Sequence, residues 1–119
     1  MIRIFAGVSL LALAATPALG QTLADLEPLV AATTRPATGT ALARRQIAGG
    51  NLLEALATLE RIILNHPESD EARMLHAGVM CRLDDRTGAM VELDALRNRQ
   101  ISEALRTEAN DACASGRRR

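Results

Sequence analysis

The chain repeats itself. Ala43 recurs as Ala77, Ala55 as Ala89, Leu56 as Met90, Leu59 as Leu93 and Ile62 as Leu96, each pair 34 positions apart. The turn pair Gly50-Asn51 recurs at the same interval as Asp84-Asp85. Self-similarity of this period points to stacked copies of one small unit, because such a unit cannot bury its apolar face alone. The small residues among the matched positions suit helices that cross closely. A generic helical bundle is the competing architecture, since amphipathic helices with short turns arise there too.

Ala and Leu dominate and β-branched runs are few, so the units are helical. Asp25 is a cap for a short helix through Leu26, Leu29 and Val30, with Pro28 in its first turn, and Thr33 to Thr38 reads as a linker. The next helix runs from Pro36 or Thr40 to Ala48 and ends at Gly49-Gly50. Asn51 with Glu54 forms a capping-box pattern. The helix it opens carries Leu52, Leu56, Leu59 and Ile63, a stripe widened by Leu53, Ile62 and Leu64. Asn65-His66-Pro67 stops it. Ser69 caps a helix whose apolar face is Ala72, Leu75, Val79 and Leu83, flanked by Met74 and Met80, with Asp70 and Glu71 at its positive end. Past the Asp84-Asp85 turn, a fourth helix carries Ala89, Met90, Leu93 and Leu96. A last helix starts at Asn98 or Ser102, shows Ile101, Leu105, Ala109, Ala112 and Cys113, and ends at Ser115-Gly116. The four helices between Pro36 and Arg97, joined by very short turns, pack as antiparallel neighbours.

The N-terminus reads as an address. Arg3 precedes an uncharged, mostly apolar run from Ile4 to Ala15, Pro17 breaks it, and Ala18 and Gly20 are the small residues of a cleavage site before Gln21. The run is shorter than the ~20 residues a membrane span needs, so a soluble exported chain, periplasmic or secreted, is expected over an anchored one. The organisation expected is a signal peptide over 1–20, a short helix and linker over 21–35, a helical domain over 36–114 with its cap helix from about residue 99, and a basic tail over 115–119. Phe5 is the one aromatic residue of the 119, and it lies in the signal. Modules that stack bases need aromatic platforms. The net charge is +0. No nucleic-acid partner is expected, and no membrane insertion after cleavage.

Gly50 to Pro67 resembles the second helix and turn of a tetratricopeptide repeat, and Ala72-Arg73-Met74-Leu75-His76-Ala77 resembles the start of the next one. The likeness covers about Pro36 to Arg97. It departs from the family where aromatic residues are usual; Gly39 stands where a Trp is common, Asp84 replaces a turn Gly, and no Pro ends the second repeat. The resemblance implies an all-α fold of antiparallel helix hairpins in a short right-handed solenoid of about two repeats, closed by a C-terminal capping helix. Similar proteins bind extended peptides or partner helices in the concave groove lined by the first helix of each repeat. By repeat phase the groove positions here are Thr40, Arg44, Ile47, Met74, Gly78 and Arg82. Arg44 and Arg82 suit acidic side chains or a carboxylate, and Met74 an adaptable apolar contact. The family's carboxylate-clamp Asn and Lys are missing.

Chemistry is sparse. His66 precedes Pro67 in a turn, and His76 and Cys81 are five apart, off a shared helix face and without a second ligand pair. No nucleophile elbow, phosphate loop or dinucleotide fingerprint is present. The acidic pairs sit at helix starts and turns, where capping explains them. No catalytic residue, metal or cofactor is assigned, and no enzyme is expected. Cys81 and Cys113 remain. In an oxidising compartment two cysteines are usually joined. If the last helix stacks as the first helix of a further repeat, the two are only about 3 Å out of register along the axis. Two free buried thiols are the alternative. The function expected is a protein-binding scaffold or adaptor of the cell envelope. The rival readings are a structural subunit stacking end to end and a small metal protein or enzyme.

Overall fold

A computed structural model describes residues 23–115. The expected signal peptide and the basic tail past Ser115 lie outside the described residues. Those described form six helices and no strand: α1 (Leu23–Thr33), α2 (Pro36–Ala48), α3 (Leu52–Asn65), α4 (Asp70–Arg82), α5 (Arg86–Ala95) and α6 (Glu103–Ser115). The all-α expectation is met.

Local chemistry sets most boundaries. Arg35 is extended (φ −115°, ψ 129°), as a residue before proline must be, and Pro36 opens α2. Gly50 closes the α2–α3 turn at φ 79°, and 34 residues on Asp84 takes φ 70°, a left-handed conformation that Asp tolerates better than most non-glycine residues. Ser69 and Asp85 cap α4 and α5 through their side chains, accepting from Ala72 N–H and Gly88 N–H. Asn51 holds the equivalent place before α3, but its side chain makes no capping bond. There the backbone turns tightly instead, Leu52 N–H donating to the Gly50 carbonyl at 2.9 Å.

Three boundaries differ from expectation. The first helix already runs at Leu23, so Asp25 is not its cap and Pro28 stands in its interior. Thr33 belongs to α1, and the linker shrinks to Thr34-Arg35. The hydroxyls of Thr33, Thr34 and Thr38 turn back on the carbonyls of Leu29, Val30 and Ala32, satisfying the free helix end. The last helix starts at Glu103, not near residue 99, with the Ser102 hydroxyl accepting from Leu105 N–H. Arg106 makes this choice, since its guanidinium donates to the carbonyls of Leu96, Arg97 and Arg99 and so holds 97–102 as a turn.

α4 is the hub. It packs against α3, α5 and α6, and Ala72, Met74, Leu75, Ala77, Gly78, Val79 and Cys81 are all buried, more than the single face expected. Ala43, Ala55, Leu59 and Ile62 join Ala72, Leu75 and Val79 in the main core. Leu53 and Leu64 do not widen the α3 stripe; they are 68% and 83% exposed, and Met90 also points outward. α6 lies parallel to α4. Arg99, in the turn before α6, pairs with Asp70 at the start of α4, and the disulfide Cys81–Cys113 joins the far ends with Cα atoms 4.8 Å apart.

Candidate binding cleft

The parallel placement of α6 beside α2, over α4, makes a cleft of about 940 Å³. Leu75, Gly78 and Val79 of α4 lie along it, with Ile47 and Leu52 from the α2–α3 corner and Leu105, Glu108, Ala112 and Ser115 from α6. The helices approach closely at Gly78, where a Cβ would meet Ala112 Cβ at 3.4 Å and Ala109 Cα at 3.7 Å, ordinary contact distances.

Of the six positions expected to form a groove, Ile47, Met74, Gly78 and Arg82 line this cleft and Thr40 and Arg44 do not. Thr40 is buried, its hydroxyl donating to Glu71 at 3.3 Å. Arg44 spans from α2 to α6, with Glu71 at 3.1 Å and Glu108 at 2.6 Å. Burial alone would lower the Arg44 pKa. The hydrogen bonds it donates to Glu108 and Glu71 outweigh that effect and raise it, so the guanidinium stays charged and is already engaged with two carboxylates. The ion pairs form a strap from α2 to α6.

Arg82 differs. It is exposed, its one hydrogen bond goes to the Ile47 carbonyl at 3.5 Å, and it has no ion pair among the described residues. Its remaining N–H groups are available to an acidic group over an apolar floor. The α6 contributors, Leu105, Glu108, Ala109, Asp111, Ala112 and Ser115, were not among the expected groove positions. The legible signal for them was the second serine cap, Ser102, 33 residues after Ser69.

A polar cluster sits elsewhere on α4. His76 Nδ1 is 2.5 Å from Glu92 of α5, its Nε2 is 3.8 Å from Glu60 of α3, and Arg73 is 3.4 Å from Glu92. Burial lowers the His76 pKa, but the Glu92 hydrogen bond and the charges of Glu92 and Glu60 prevail and raise it. Among the described residues no group of three His, Cys, Asp or Glu side chains is arranged to hold a metal, and no helix is long and apolar enough to cross a membrane. No family model, curated protein or solved structure matches the chain.

Proposed function

We propose that this chain is an exported adaptor built on tetratricopeptide-like hairpins, which holds a short peptide or helix of a partner protein in the cleft over α4. The observation that carries the reading is the cleft itself: an apolar floor walled by α2 and α6, with Arg82 free of any ion pair among the described residues. The element spacing supports the repeat. α4 starts 34 residues after α2, α5 starts 34 after α3, and α6 starts 33 after α4. α2, α4 and α6 each have 13 residues. The left-handed turn residues Gly50 and Asp84 are in phase with that spacing. The occupant is an apolar segment with a carboxylate, from its C-terminus or an acidic side chain, set against Arg82.

Peptides selected from a random display library against the oxidised protein test this directly. Titrated into isotope-labelled protein, they shift the amides of Ile47, Gly78 and Ala112. Arg82→Ala weakens them several-fold, in the ~1 kcal/mol range of a solvent-exposed charge contact. Selected peptides that map elsewhere, or indifference to Arg82→Ala, overturn the site. Export has its own check. Intact mass of periplasmic material corresponds to a chain beginning at Gln21, whereas a chain retaining Met1 in the cytoplasm removes the address.

A further inference from the structure

We propose that the chain assembles head to tail, α1 of one copy entering the cleft between α5 and α6 of the next. This rests on the repeat-like alternation of the helices and not on peptide binding over α4. Two kinds of helix alternate: α2, α4 and α6 belong to one, α3 and α5 to the other. α1 takes the second kind's place ahead of α2, packing on α2 and α3. At the opposite end α6 is of the first kind, so a helix of the second kind belongs along it and beside α5.

That place is open. α5 and α6 both pack on α4 yet diverge, leaving a cleft of about 370 Å³. Cys81 and Cys113 line it, with Met90 and Leu93 from α5 and Asn110 and Ala114 from α6. Exposed apolar side chains mark both surfaces. Val30 on α1 is 48% exposed, and Met90 and Val91 on α5 are 60% and 69% exposed. Charge matches as well. α1 shows the exposed carboxylate of Glu27 and has no basic residue within Leu23–Thr33. Arg86 and Arg97 flank the cleft; Arg97 pairs with Asp94, and Arg86 donates to the Cys113 carbonyl while keeping further N–H groups for a carboxylate. A contact between two different surfaces does not close on itself across a two-fold axis, so each addition leaves both surface types available and growth is stepwise.

Sedimentation velocity of the oxidised protein at rising concentration reads the assembly, with dimers and then larger species expected. Val30→Asp and Met90→Asp, both at exposed positions and checked for native helicity, each abolish growth. Mixed together they form one heterodimer and nothing larger, because the Met90→Asp chain keeps its α1 surface and the Val30→Asp chain keeps its cleft. A monomer at every concentration, a dimer that neither substitution disperses, or a mixture that stays monomeric overturns the proposal. Neither residue lines the cleft over α4. Monomeric protein that still binds the selected peptides therefore overturns the assembly alone, and assembling protein that binds none overturns the adaptor reading alone.

Discussion

Gly39 shows how much one hydrogen atom matters here. A Cβ at this position of α2 would fall 2.6 Å from Ile62 Cδ1 and 2.8 Å from its Cγ1, with the α1 backbone at Thr33 Cα only 3.4 Å away. Ile62 is fully buried, so its side chain has little room to shift. Alanine would normally improve a helix interior by ~1 kcal/mol. Overpacking of ~1–3 kcal/mol opposes that gain, so Gly39→Ala is expected to lower the urea midpoint, and a raised midpoint would show that α1 and Ile62 give way. Ala55 and Ala89 play the same part in phase, both with zero exposure. Ala55→Leu should destabilise by ~1–3 kcal/mol, while Ala57→Leu, on the exposed side of α3, stays within ~0.5 kcal/mol. Equal tolerance at the two sites would argue for a looser bundle. The alanines were legible from their 34-residue recurrence. Gly39 was not, because its reason is Ile62, on the next helix.

At the level of elements, α3, α4 and α5 are clipped together by Glu60, His76, Arg73 and Glu92. The folded state raises the His76 pKa above its ordinary value, ~6.5 in an unfolded chain. Its contribution is therefore fully present below that unfolded value and is lost as pH rises through the higher folded one. His76→Gln should cost more stability at pH 6 than at pH 9, with denaturant midpoints of both proteins compared across that range. A pH-independent gap would mean His76 acts by packing alone. The same helices show where periodicity can be read. Proline, glycine and serine stop and start α2, α3 and α4 in the sequence itself. The all-round burial of α4 was hidden, because the sequence shows one apolar face, Ala72, Leu75, Val79 and Leu83, while Arg73 and His76 are covered through their partners Glu92 and Glu60 on neighbouring helices. The start of α6 was ambiguous between Asn98 and Ser102, and the deciding group, the Arg106 guanidinium, acts from inside the helix on carbonyls up to ten residues earlier.

Across the whole molecule, α6 is the piece on which both clefts depend, and its own hold is thin. Within the helix Leu105 is the one large apolar side chain, followed by Ala109 and Ala112, and Ile101 packs from the preceding turn. At ~25 cal/mol per Å² such a face holds weakly. The exposed ion pairs Arg44–Glu108 and Arg99–Asp70 add little each. The Cys81–Cys113 bond closes a 32-residue separation, worth ~3–4 kcal/mol in the chain-entropy account. It joins the far ends of two parallel helices and so confines α6 to α4. Reduction, or Cys113→Ser, is then expected to lower the melting temperature and to speed amide exchange from Ile101 to Ser115. The α2–α3 hairpin, which meets α6 through the exposed Arg44–Glu108 pair and Leu105, keeps most of its protection. Uniform loss of protection along the chain would show instead that the bond stabilises one cooperative unit. Thiol titration of the unfolded, unreduced protein checks the premise: no reactive thiol is expected, two would remove the tie altogether, and a disulfide-linked dimer would assign the cysteines to assembly.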